Sequence, residues 1–207
     1  MCKLKIKLDP EFKKHLTIIL IIGLLTAGGI ELLARHYTVM VSRKEHRCLP
    51  WTYFIVKKNE IPAEKGDLIS FKGMGIPHFA DGIRFIKMVA GLPGDVIKVD
   101  IFTEQERKRH TRIIEKDGTM IEQRLQGRVY LHRKNNREVL SFDAVEKDTF
   151  GRDLPIVKEQ TIPEGKFFVI GTVPRTYDSR YWGLVDDKQV TGEAYPLAFW
   201  ESTKGHI

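Results

Sequence analysis

Phe85-Ile-Lys-Met-Val-Ala-Gly-Leu-Pro-Gly-Asp-Val-Ile-Lys-Val99 (FIKMVAGLPGDVIKV) reads as strand, turn, strand. Phe85 to Val89 and Val96 to Val99 are short runs of β-branched and large apolar residues, and Leu92-Pro-Gly-Asp95 between them is turn chemistry. The same alternation continues outward. Tyr53-Phe-Ile-Val56, Leu68-Ile-Ser-Phe71, Val129-Tyr-Leu131 and Phe167-Phe-Val-Ile170 are further short strands, bounded by turn formers such as Glu64-Lys-Gly-Asp67 and Ile162-Pro-Glu-Gly165. Short strands broken by Pro-Gly and Gly-Asp turns predict a mainly β, antiparallel domain. A helical period is expected only around Glu104 to Ile114. No internal repeat is visible. Residues 100–155 carry more charge and fewer apolar runs, as an inserted β subdomain or long hairpin would, with Asp117-Gly118 and Asn135-Asn136 as turn tips.

Ahead of the β pattern lies a different kind of segment. Leu16 to Ile30 carries no charge, and with Leu32, Leu33 and Ala34 the apolar stretch 16–34 is long enough for a transmembrane helix, which needs about 20 residues. Lys3, Lys5, Lys7, Lys13 and Lys14 precede it. By the positive-inside rule residues 1–15 form a cytoplasmic tail, and 37–207 form the exported domain. The rival reading is a cleaved signal peptide, with Thr26-Ala-Gly-Gly29 supplying small residues for the cut. Either way the β domain lies outside the cytoplasm, so the expected location is the inner membrane, with a periplasmic domain and the lipid bilayer as a partner.

Of the formal net charge of +7, the N-terminal lysines exceed Asp9 and Glu11 by three, leaving +4 for the remainder. That is a weak argument for nucleic-acid binding, and none is expected. The basic runs Glu106 to Arg112 and Arg133 to Arg137 read more simply as solvated edges. There is no G-x-S-x-G, H-E-x-x-H, phosphate-binding glycine loop or C-x-x-C, and His46 with Cys48 does not make a zinc site. No cofactor or metal is implied. The two cysteines, Cys2 and Cys48, flank the anchor and would face opposite compartments. Cys48 is then either a reactive thiol or an inert buried one.

Three segments, in order, resemble conserved boxes of the type I signal peptidases, the S26 serine–lysine peptidases that remove export signals. They are Cys48-Leu-Pro50, Phe85 to Val96, and Thr176-Tyr-Asp-Ser-Arg-Tyr-Trp-Gly183. Glu64 to Phe71 resembles a fourth box. The compact size and single anchor look most like the conjugative-transfer branch, the TraF/TrhF type, whose members process a pilin and in some cases close it into a ring. The resemblance implies a signal-peptidase-like antiparallel β domain behind a single N-terminal transmembrane helix. It also implies a membrane-bound pilin or pre-protein as substrate and the conjugative transfer or secretion machinery as partner. Residue by residue, it implies Lys87 as general base, Cys48 at the position of the nucleophilic serine, Thr176 as the hydroxyl that orients the lysine, and Asp178 with Arg180 as a supporting ion pair.

The chemistry is coherent. A lysine acts as a base near neutrality only when burial favours its neutral form, and the neighbours of Lys87 are apolar. A thiol, with a reference pKa of about 8.5, is easier to activate than a hydroxyl. The chain departs from the family pattern in three places: cysteine replaces serine, Gly171-Thr-Val-Pro174 stands where many members have Gly-Asp-Asn, and His46 stands where some relatives use an oxyanion-hole serine. Two other readings compete with a Cys/Lys peptidase. One is a catalytically inactive homologue that serves in pilus or secretion assembly. The other is an unrelated tethered β domain that binds nucleic acid or an acidic partner through its basic insert.

Overall fold

The structure is a computed structural model, and it describes residues 9–42, 48–61, 64–116, 118–134, 138–148, 150–172 and 176–197. It divides into two units, one ending at Thr38 and one beginning at Val39.

The first unit is dominated by helix α1 (Pro10–His36). Asp9 caps it by accepting from the Glu11 N–H at 3.2 Å, and Pro10 occupies the first turn, where its missing N–H costs nothing. The 27 residues extend about 40 Å at 1.5 Å each, more than the roughly 30 Å of a bilayer's hydrocarbon core. Thr17 and Thr26 return their hydroxyls to the carbonyls of Lys13 and Ile22, so neither leaves an unsatisfied donor in the apolar stretch. No residue of α1 is buried, and its mean hydropathy reaches 2.3. By length and composition this helix could anchor the chain in a membrane.

The second unit is mainly antiparallel β, as the alternating runs predict. Its elements are β1 (Tyr37–Val41), β2 (Tyr53–Lys58), β3 (Leu68–Lys72), β4 (Arg84–Gly91), β5 (Val96–Ile101), α2 (Glu104–Arg109), β6 (Thr111–Lys116), β7 (Thr119–His132), β8 (Val139–Val145), β9 (Gln160–Thr161), β10 (Lys166–Ile170), α3 (Ser179–Trp182), β11 (Val185–Asp186) and β12 (Val190–Leu197). One sheet has the order β1-β2-β12-β3-β4-β10-β11. The other has β6-β7-β5-β9, with β8 also on β7. All six apolar runs quoted above are strands. Of the helical period expected from Glu104 to Ile114, Thr111 onward is strand β6 and only Glu104–Arg109 is a short capped helix. Thr103 and Glu106 close its capping box. Gly118, at φ +76°, sits in the turn between β6 and β7. Asn135, Asn136 and Arg137 lie outside the described residues.

The turn Leu92-Pro-Gly-Asp95 sends the chain from the first sheet into the second. Gly94 takes φ +88°, which Pro93 followed by a left-handed residue requires, and the Asp95 N–H closes the turn on the Leu92 carbonyl at 3.1 Å. The buried Asp95 carboxylate then accepts from the backbone N–H groups of Leu92 and Lys134 and from Lys65 Nζ at 2.7 Å. Burial pushes this carboxyl up, but the Lys65 and backbone bonds outweigh it and hold it below its ordinary value.

Strand β4 is covered on both faces. Val89 and Phe85 pack with Ile69, Phe71 and Val169. Ile86 and Met88 pack with Leu49, Phe54, Val56 and Leu68. Ala90 joins the larger cluster between the sheets, with Ile97, Leu131, Phe168 and Tyr181.

Candidate active site

Lys87 occupies the middle of β4 on the face of Phe85 and Val89, opposite Ile69 of β3. It is only 1% exposed. Among the described residues its Nζ has no hydrogen-bond partner and no ion pair. An ammonium is costly to bury in this way, and a neutral amine much less so. A neutral amine is also the form that accepts a proton.

The neighbour of Lys87 on its other side follows from the register of β10. Ile170 pairs with Met88, and Val169 with Val89. Strand β10 ends there, and continuing its register by one residue would set Gly171, the next residue, across from Lys87. Cross-strand partners of this kind hold their β-carbons about 5 Å apart. Gly171 has no β-carbon, and the space is in use. A β-carbon there would stand 2.5 Å from Thr176 Oγ1 and 2.6 Å from the Cys48 carbonyl oxygen. The missing side chain thus lets the Cys48 and Thr176 segments converge at Gly171.

Cys48 is half-buried, and its carbonyl accepts from the Thr172 N–H at 3.0 Å. Leu49, 2% exposed, plants the next residue in the core against Ile86 and Met88. Thr176 is 3% exposed, and its Oγ1, like Lys87 Nζ, has no hydrogen-bond partner among the described residues. The bond expected from the Thr176 hydroxyl to the amine is therefore not made here. The threonine side chain is pressed against Gly171 instead, and Thr176 Oγ1 and Lys87 Nζ remain without hydrogen-bond partners among the described residues.

Asp178 and Arg180 form a bidentate pair, with Nε and Nη2 each 2.8 Å from a carboxylate oxygen. The two residues do not lie along one extended segment. Asp178 is the N-cap of α3, accepting from the Arg180 N–H, and Arg180 is inside the turn. Asp178 also accepts from the Gly171 N–H at 3.1 Å, while Arg180 donates to the carbonyls of Thr176 and Asp143. Burial opposes the charge on Arg180, but Asp178 outweighs it and keeps the guanidinium firmly protonated. Removing one partner of so enclosed a pair costs about 3–5 kcal/mol. The pair holds Gly171 and Thr176 to one frame. His46 lies outside the described residues.

Sequence reasoning missed the space at Gly171, because it read residues 171–174 for their lost polar side chains. It also missed two hydroxyls of the third box. Ser179 Oγ accepts from the Val169 N–H at 3.0 Å, and Tyr181 Oη from the Val145 N–H at 3.1 Å. A serine and a tyrosine beside a buried ion pair were the available signal.

In structural terms the class is an antiparallel β domain with a lysine enclosed on one of its strands. Residues 12–200 match the family model described as signal peptidase, peptidase S26, and the chain belongs to that family. It is 26% identical to a signal peptidase I of Pseudomonas aeruginosa over 154 residues, covering 67% of this chain and 49% of the relative. It is 24% identical to a signal peptidase I of Buchnera aphidicola subsp. Schizaphis graminum over 181 residues, covering 70% of this chain and 56% of the relative. The chain thus spans about half the length of the curated relatives it matches.

Proposed function

We propose that this protein is a membrane-tethered peptidase that acts by acyl transfer, with Cys48 as nucleophile and Lys87 as general base. The observation that carries this reading is the Lys87 amine, enclosed without a partner among the described residues on the strand that pairs with β10, whose next residue, Gly171, is where Cys48 and Thr176 meet. Lys87 Nζ takes the proton of the Cys48 thiol as sulfur attacks the scissile carbonyl. The proton then passes to the departing amine as the C–N bond breaks, leaving a thioester. Water or a second amine attacks that thioester and releases the thiol. The backbone N–H of Cys48 and His46 are the candidate donors to the oxyanion. Asp178 and Arg180 support the loop, and Thr176 packs against Gly171.

The substrate we assign is a membrane-bound precursor, and more narrowly a conjugative pilin. The apolar α1 and the order of the boxes support this, with the N-terminus cytoplasmic and the β domain periplasmic. Thioesters favour aminolysis over hydrolysis more than oxygen esters do, so a cysteine nucleophile suits joining the pilin's ends. The test is the intact mass of the candidate pilin from cells carrying wild-type protein or Cys48→Ala. Unprocessed precursor in the mutant alone supports the reading, and a mature mass one water below the linear form adds ring closure. Fully processed pilin in both strains removes Cys48 as nucleophile and favours an inactive homologue acting in assembly.

A further inference from the structure

The single turn of α3 is bonded into both sheets at the points where their ladders slip. In the first sheet the pairing of β10 with β4 shifts register between Phe168 and Val169, and the Val169 N–H donates to Ser179 Oγ. In the second, the pairing of β7 with β8 shifts between Leu125 and Gly127, which face Val145 and Ala144. There the Val145 N–H donates to Tyr181 Oη. A bulge leaves a backbone N–H without its ladder partner, and burying it unsatisfied is costly, so each hydroxyl fills a specific need.

Arg180, between these two residues, makes the same connection through its guanidinium. Nη1 donates to the Asp143 carbonyl of β8 at 2.6 Å, and Nη2 to the Thr176 carbonyl at 3.1 Å. The Arg180 carbonyl in turn accepts from the Val157 N–H at 2.7 Å. Strand β8 therefore grips the segment carrying Thr176 at two points two residues apart, Asp143 and Val145. The Tyr181 ring is 3% exposed and stacks on Tyr177, next to Thr176, with centroids 5.7 Å apart.

We infer that Tyr181 is a positioning residue: its hydroxyl, held by the Val145 N–H, registers the second sheet against the Thr176 segment and so sets how Thr176 packs on Gly171. The second sheet is then part of the catalytic frame. This inference rests on the Cys48/Lys87 reading above.

The test needs no identified substrate. The full chain in detergent is treated with iodoacetamide across a pH series, and Cys48 modification is followed on its own peptide, apart from Cys2. Lys87→Ala moves the Cys48 profile to higher pH. Tyr181→Phe keeps the ring and loses only the hydroxyl. It moves the profile the same way, with reactivity near neutrality falling roughly five-fold, the effect of one lost hydrogen bond. A fluorinated tyrosine at 181, a weaker acceptor of unchanged shape, gives a smaller shift in that direction and serves if Tyr181→Phe does not fold. A structural role alone would lower the melting temperature and leave the profile of the folded protein where it was, which overturns the inference. A Lys87→Ala profile equal to wild type removes the dyad and the inference with it. A shifted Lys87→Ala profile with wild-type behaviour at both Tyr181 variants removes the inference alone.

Discussion

Replacing Lys87 by methionine should make the protein more stable and inactive. The lysine side chain is 1% exposed and its Nζ has no hydrogen-bond partner among the described residues. An unsatisfied buried polar group costs about 1–3 kcal/mol. Methionine has nearly the same length, adapts its rotamers to the surrounding Phe85, Ile69 and Val89, and carries no such penalty. Lys87→Met should therefore gain roughly 1–3 kcal/mol, or about 2–12 °C in Tm for a chain of this size. Processing of the precursor should be lost, because a thioether cannot take the Cys48 proton. The assay pairs thermal denaturation of the detergent-solubilised protein with intact-mass analysis of the precursor in cells. A variant that melts below wild type would mean that the amine makes interactions worth keeping, and the argument from its missing partner would fail. A stabilised variant that still processes would remove Lys87 from the chemistry. The expected combination is the trade of stability for function seen where an active site holds a group its surroundings do not favour.

Gly171→Ala should lower processing by about 100-fold, since the new β-carbon meets both Thr176 and the Cys48 carbonyl and a displacement near 1 Å is enough for such a loss. The same overpacking should cost about 1–3 kcal/mol in urea denaturation, and wild-type processing would contradict the account of the site. The Asp95 carboxyl is held below its ordinary value of 3.8 in the folded protein. Its contribution is therefore complete above that value and fades as pH falls through the lower folded one. Asp95→Asn should flatten this acid limb of the stability curve, and an unchanged limb would show that the Lys65–Asp95 bond is not its source.

The sequence by itself determined the parts of this protein that depend on local pattern. Runs such as Phe85 to Val89 and Val96 to Val99, parted by Pro93 and Gly94, are strands and a turn because β-branched residues favour extended backbone and glycine the positive φ of Gly94. The uncharged stretch inside α1 is helical for its continuous apolar surface, and an ordered set of boxes was enough to reach the S26 family. The less patterned β8, β11 and β12 were not legible. Val190–Leu197 runs between β2 and β3, far from it in sequence, and such pairing depends on partners no local window contains. The site divides the same way. The residue types at Cys48, Lys87, Thr176, Asp178 and Arg180 were readable, but their convergence was not. Only the tertiary structure brought Cys48 and Thr176 together at Gly171, left Lys87 Nζ and Thr176 Oγ1 enclosed without hydrogen-bond partners among the described residues, and bonded Ser179 and Tyr181 into bulges of two different sheets. These features follow from strand register and packing between segments that no local window of sequence contains.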